Sequence, residues 1–317
     1  MIHRILKAIR QKLIWSYVKH FLLRVRSNEW CFIPIYGIGD AYMILSLLTA
    51  FRQQNKGVKK IKIVLINQKH VGLLYLFPDT FDDAILIDAR WLNYIPVENA
   101  LTKGRVIIFS CWYFFPNALK SLLGHKKITI NEIYKLMLNV FVTTINEKPV
   151  VSPEIKKAGI DRFNTYGFEQ NRTVLIAPHA NTVDAESVPF SFWEEIIGFL
   201  SENEYHVAVL SNEEKYLLSN WAKHVFFPLD EAIPFCEQCG FVISVRSGLC
   251  DLLSTANCEK FILYPKFQPG VKNIAQWSSL IEMGLCNEKI NELIYDENNI
   301  GEIINTIKNK LKNGKIV

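Results

Sequence analysis

The segment Arg246-Ser247-Gly248-Leu249-Cys250-Asp251 follows an apolar run at 241–245 and leads through a helix-like stretch to a second run at 260–264. A small-residue turn at the end of a buried strand aims unpaired backbone N–H groups, and the positive end of a helix dipole, at whatever lies past the strand. Such a turn suits an anion, phosphate first of all. Ser247 can cap the helix, Gly248 keeps its first turn open, and the N–H groups of Gly248, Leu249 and Cys250 can face phosphate oxygens. Arg246 can add a bidentate charge. Asp251 repels phosphates, so it is expected to pair with Arg246, accept from a sugar hydroxyl or complement the helix dipole.

Four more places put polar or small residues where an apolar run ends. Tyr36-Gly37-Ile38-Gly39-Asp40 separates a run at 30–36 from a helical stretch. Gly37 and Gly39 permit a tight turn and close approach of a ligand. Asp40 stands at the helix start, where ligands meet open α/β sheets, although Asp also serves there as a plain N-cap. The third glycine of the dinucleotide fingerprint is absent. Pro178, His179, Ala180 and Asn181 follow the run at 173–178, and His179 either faces a ligand or is an ordinary loop residue. Ser211 and Asn212 follow the run at 205–210. Pro228 and Leu229, after 225–228, can hold a flat base between backbone and apolar side chain. Both segments serve equally as plain connections between elements. Trp112 and Tyr113 can stack on a sugar, although a core is the commoner place for aromatics.

The elements that must position these residues come in two alternating sets. The first has strand-like runs at 30–36, 61–66, 84–88 and 105–110, with helices near 41–54, 69–77 and 131–145. The second has runs at 173–178, 205–210, 225–228, 241–245 and 260–264, with helices near 191–202, 213–223, 231–239, 248–256 and 298–312. Continuous apolar strands spaced by helices predict parallel sheets covered on both faces. The expectation is therefore an α/β protein of two Rossmann-like domains facing across a cleft, over residues 29–150 and 170–317. A polar stretch with Pro149, Pro153, Gly159 and Gly167 joins them, and the final amphipathic helix can close the second domain or return to the first.

Charge is unevenly placed. Residues 1–28 hold seven of the 36 Lys and Arg and no acid, which leaves 29 basic against 31 acidic residues in the rest, a net of about −2. A nucleic-acid partner for the whole surface loses its support. Ile2, Ile5, Leu6, Ile9 and Leu13, then Trp15, Val18, Phe21, Leu22 and Val25, recur at helical spacing among those basic residues. Such a helix suits an anionic membrane surface, and equally packs as an ordinary first helix. Charges recur too often for a spanning helix, and no signal-peptide pattern is present. Seven cysteines without a framework fit reduced thiols in the cytoplasm, and Cys236-x-x-Cys239 lacks the second pair that a zinc site needs.

In order of elements, nearly the whole chain resembles the GT-B glycosyltransferases, in particular the lipopolysaccharide heptosyltransferases of glycosyltransferase family 9. Gly39-Asp40 matches the family's early Gly-Asp turn, Ala177-Pro178-His179 its strand-Pro-His/Gly loop, and Ser247-Gly248-Leu249-Cys250 its late Ser/Thr-Gly turn. Arg246 and Asp251 stand where the family has Asp and His, and Ser187-Val188-Pro189-Phe190 replaces its Lys-Arg-Trp-Pro. The resemblance implies transfer of a sugar from a nucleotide-diphospho-sugar to a bacterial surface glycan or glycolipid, such as lipopolysaccharide or capsule; the basic head and the reduced thiols point to the cytoplasm, at the inner face of the cell membrane if the head binds it. It implies Asp40 as general base with inversion, an acceptor site around Gly37, Gly39, Trp112 and Tyr113, and a donor site from the second-domain residues named above. It implies no cofactor and no metal, and no Asp-x-Asp motif occurs to hold one. A nucleotide-sugar epimerase on the same scaffold, and a non-catalytic nucleotide-sugar-binding module at the membrane, are the alternatives.

Overall fold

The first apolar run becomes β1 (Glu29–Pro34), fully buried from Cys31 onward. A short break leads to α1 (Ile38–Leu45) and α2 (Leu48–Gln54), then β2 (Lys60–Leu65), α3 (Val71–Tyr75), β3 (Asp83–Leu86), β4 (Val106–Phe109) and α4 (Ile130–Met137). The computed structural model describes residues 9, 10, 12–14, 16, 17, 29–34, 37–94, 106–109, 128–180, 187–265, 274–286 and 289–313. All three strand pairings in this sheet are parallel, in the order β3-β2-β1-β4. Burial on both faces explains why β1 and β2 read as unbroken apolar runs rather than alternating ones. The exception, Lys62 in β2, is buried with its ammonium 2.9 Å from Glu29.

The helix expected at 41–54 is two helices. Ser46 ends α1, its hydroxyl donating to the Met43 carbonyl at 3.0 Å. A buried relay runs from there: Asn146 donates to Ser46 Oγ at 2.8 Å, and Asn131 of α4 donates to Asn146 at 2.8 Å. These bonds fix α4 to the C-terminal end of α1. The helix expected to run to 145 stops at Met137, and Asn139 follows it with φ 52°.

The second set opens with α5 (Pro153–Thr165), capped by Ser152 with Pro153 in its first turn. There follow β5 (Thr173–Ala177), α6 (Phe190–Glu202), β6 (His206–Val209), β7 (Ala222–His224), α7 (Ala232–Cys239), β8 (Gly240–Val245), α8 (Gly248–Leu253), β9 (Glu259–Tyr264), α9 (Ala275–Ser278), β10 (Ile290–Ile294) and α10 (Ile300–Asn313). Gly240, at φ 88°, makes the turn from α7 directly into β8, a conformation that favours glycine. Gly159 lets α5 lie against α7, because a Cβ there would come within 2.5 Å of Pro234. The sheet order is β10-β9-β8-β5-β6-β7, again parallel throughout. Its core joins Trp193 and Ile196 of α6 to Val174, Ile243 and Phe261 of the strands and to Ile303, Ile307 and Leu311 of α10. The last helix thus spends its apolar face on the second core.

The chain divides into two compact units, Met1–Ser121 with Asn131–Val150, and Leu122–Ile130 with Val151–Val317. Counted from its own first strand, the second sheet has the order 3-2-1-4-5-6 and the first has 3-2-1-4. Each is a Rossmann-like α/β unit. In such a sheet the connections leave opposite faces on either side of the first strand. A crevice therefore opens past the carboxyl ends of strands 1 and 4.

Candidate functional site

The crevice of the first unit lies past β1 and β4, and Gly37 and Asp40 stand at the end of β1. Gly37 has an extended backbone, φ −167°, and a Cβ there would meet no atom within 4 Å. Neither strain nor crowding among the described residues demands glycine, so the missing side chain leaves open space beside the crevice. Gly39 and Asp40 fall inside the first turn of α1, both half-buried. Asp40 is therefore not the N-cap, which is Gly37. Its carboxylate Oδ1 accepts a hydrogen bond from the hydroxyl of Tyr134. Tyr134, 1% exposed, lies one turn after Asn131 on α4, so the Asn131–Asn146–Ser46 relay that fixes the helix also fixes the hydroxyl. Trp112 and Tyr113 lie outside the described residues.

The second unit's crevice lies past β5 and β8, where the 178–180 and 246–251 segments emerge. Pro178, His179 and Ala180 follow β5 directly, and Asn181 lies outside the described residues. His179 Nε2 is 2.9 Å from Glu213 Oε1, though off the line of a hydrogen bond, and Glu213 Oε2 is 2.6 Å from Lys215 Nζ. The Tyr216 ring packs against the imidazole edge at 5.5 Å between centroids. Burial lowers the imidazole's affinity for a proton; Glu213 opposes this and Lys215 reinforces it. Past β6, the Ser211 hydroxyl is buried and accepts from the Glu213 N–H at 3.1 Å, which folds the turn that presents Glu213. Asn212 is exposed. Past β7, exposed Pro228 and half-buried Leu229 open a single 3-10 turn whose Glu231 N–H bonds the Pro228 carbonyl at 3.1 Å.

The turn after β8 differs from expectation in three respects. Ser247 is the N-cap by position, but its side chain makes no capping bond; the hydroxyl lies 3.7 Å from Cys250 Sγ. The Cys250 N–H donates to the Ser247 carbonyl at 3.0 Å, which leaves Gly248 and Leu249 as the N–H groups opening the helix. Arg246 does not face outward. It is 7% exposed and its guanidinium bonds the Ser278 carbonyl (2.8 Å), the Ser247 carbonyl and Asp251. Asp251 is 3% exposed, so the two form a buried ion pair. Burial pushes the Asp251 carboxyl up and Arg246 holds it down. Neither side chain faces outward, and a guanidinium held by these partners acts as a strut of the turn. The strut continues, because the Tyr264 hydroxyl lies 3.4 Å from the Ser278 carbonyl and donates its hydrogen to Glu292. Glu292 in turn takes the Ser279 hydroxyl and the Leu280 N–H, each at 2.6 Å. The ends of β8 and β9, the middle of β10 and the 278–280 segment are thereby locked to the Ser247 turn.

Sequence reasoning missed Tyr134, which contacts Asp40 across 94 positions and has no local signal. Glu213 had one, standing two residues after Ser211 at the same strand end. Among the described residues no group of three or more His, Cys, Asp or Glu side chains is placed to hold a metal. Cys236 and Cys239 are free thiols in the core, pushed far up by burial.

No protein-family model matches the sequence, and no curated protein matches it. Solved structures do match in fold. Escherichia coli ADP-heptose lipopolysaccharide heptosyltransferase II is 14% identical, with a TM-score of 0.59 over 90% of this chain and 98% of that one. A glycosyl transferase family 9 protein from Veillonella parvula is 12% identical, at 0.58 over 91% and 99%. Escherichia coli heptosyltransferase WaaC with ADP is 14% identical, at 0.54 over 90% and 99%. The chain has the fold of these enzymes, two Rossmann-like units of the GT-B type.

Proposed function

We propose that the protein is a glycosyltransferase that moves a sugar from a nucleotide-diphospho-sugar to a glycan or glycolipid acceptor of the bacterial surface, lipopolysaccharide or capsule. The observation that carries this reading is the pair of switch points. Each parallel sheet ends in a loop of small and polar residues beside its first strand, on a fold in which similar structures are heptosyltransferases. The solved neighbours include WaaC with ADP and with ADP-2-deoxy-2-fluoro heptose, which supports a nucleotide-sugar donor here.

In this reading the second unit holds the donor. Pro178–Ala180, Asn181 and the Pro228–Leu229 turn flank the nucleotide. The N–H groups of Gly248 and Leu249 meet the pyrophosphate, and Arg246 and Asp251 keep their turn in place. The leaving diphosphate gains negative charge as the glycosidic bond breaks, and fixed N–H dipoles at that spot stabilise it. The first unit holds the acceptor over Gly37 and Gly39. Asp40, held by Tyr134, takes the proton of the acceptor hydroxyl as the oxygen attacks the anomeric carbon from the face opposite the leaving group, with inversion. No metal ion is needed for these steps.

The test has two arms. A thermal-shift screen against ADP, GDP, UDP and CMP is expected to find one nucleotide that stabilises the protein, by about 2.7 kcal/mol at a hundredfold excess over Kd. Transfer from the matching nucleotide sugar is then measured for Asp40→Asn, with an expected loss of about 10²-fold or more in kcat and no loss of nucleotide stabilisation. Near-normal transfer by Asp40→Asn overturns the assignment of the base. Failure of every nucleotide overturns the donor site.

A further inference from the structure

The head of the chain plays no part in the site described above, and its exposure points to a partner. Residues 9, 10, 12–14, 16 and 17 are helical. Ile9, Leu13 and Tyr17 are spaced four apart and so share one face, and they are 49%, 67% and 50% exposed. An amphipathic helix that packs on its own protein buries that face; this one presents it. Leu13, Ile14 and Tyr17 also wall an open groove of about 600 Å³ together with Arg90 and Trp91 of the 3-10 turn Ala89–Tyr94. Tyr17 and Trp91 face each other at 6.1 Å between ring centroids.

Charge selects the occupant. Arg10 and Lys12 are exposed beside the apolar stripe, and residues 1–28 carry seven Lys and Arg without one acid. Arg90 is held by Asp88 at 2.6 Å, so the cationic character belongs to the segment itself. The rest of the chain is slightly acidic and would repel an anionic surface. Cations beside an apolar, Tyr-bearing helix face, with Trp91 of the neighbouring turn next to it, make the pattern of an interfacial helix. Its rings and aliphatic side chains enter the headgroup boundary while its cations meet lipid phosphates. We infer that the N-terminal segment docks the protein on a bilayer rich in anionic phospholipid, with Ile9, Leu13, Tyr17 and Trp91 entering the interface and the groove taking lipid acyl chain.

The full-length chain is tested by cosedimentation with phosphatidylcholine vesicles made with and without phosphatidylglycerol. Binding is expected to be about tenfold or more tighter with the anionic lipid, and to weaken as salt shortens the reach of the charges. Leu13→Glu with Tyr17→Glu is expected to abolish it. Both side chains are at least half exposed, so the thermal midpoint and the nucleotide-induced shift stay as they were. Equal binding to neutral and anionic vesicles overturns the inference. So does binding that survives the double substitution, or self-association that the substitution removes in a chain that ignores vesicles. None of these outcomes depends on sugar transfer, so loss of the proposed activity and loss of docking are read separately.

Discussion

Tyr134 and Asp40 show how a residue with no sequence signature comes to bear on one that has such a signature. Asp40 was legible because it follows two glycines at a strand end, a place where few residue types are idle. Tyr134 was not, since its partner is 94 positions away and only the sheet and the Asn131–Asn146–Ser46 relay bring them together. A buried phenol donating to the carboxylate restricts its rotamer, so it acts through Asp40 rather than on a substrate. A hydrogen bond to a charged group contributes about 1.5–3 kcal/mol. Tyr134→Phe is accordingly expected to lower kcat about tenfold or more, because 1.36 kcal/mol is a factor of ten in rate. The donor KM should stay as it was, because the donor is assigned to the other unit. Steady-state kinetics with the donor varied give the split. A rise in KM with kcat unchanged would assign Tyr134 to binding instead.

At the scale of elements, the strands buried on both faces were readable and the edges were not. β10 escaped because Ile290–Ile294 is only half-buried and carries Asn291 and Glu292, so no apolar run marks it. β7 lies at 222–224, where Lys223 and His224 interrupt the pattern, while the more apolar 225–228 merely follows it. The turn between β8 and α8 misled differently. An arginine before Ser-Gly reads as a phosphate ligand, but the partner five residues on and the Ser278 carbonyl absorb it. The pairing with Asp251 was one of the roles the local sequence offered, whereas the Ser278 carbonyl, 32 positions on, has no local signal. Removing one member of a buried pair leaves the other charge uncompensated, at a cost of about 3–5 kcal/mol. Asp251→Ala is therefore expected to destabilise the second unit by that amount in chemical denaturation, whereas Arg246→Met with Asp251→Leu, which removes both charges, should recover much of the loss. If the single substitution cost under 1 kcal/mol while abolishing nucleotide stabilisation, Asp251 would be a ligand and not part of a strut.

For the whole molecule, two parallel sheets were predictable from continuous apolar runs, but not the strand order that creates a switch point in each. That order comes from which crossovers pack on which face, and it is what turns scattered strand-end residues into two candidate crevices. The same burial sets the acid limit of the fold. His70, His179 and His206 all hold their protons more weakly than the ordinary histidine value of 6.5, burial being the largest cause in each. Glu213 opposes the shift at His179 and Glu169 opposes it at His206, while Lys215 at the first and Lys223 and Arg172 at the second reinforce it. Because the folded values lie below the unfolded one, the unfolded chain binds more protons across that window. The associated stability is complete above about pH 6.5 and is lost as pH falls through the depressed folded values. Thermal midpoints are thus expected to hold steady from about pH 8 to 7 and to fall between about pH 6.5 and 5, before the carboxylates of ordinary pKa titrate. Replacing His70 and His206 by Gln should flatten that fall, since an amide takes up no proton in either state. A midpoint that stayed level down to about pH 5 in the unsubstituted protein would mean that the three imidazoles are as free to protonate in the fold as in the unfolded chain.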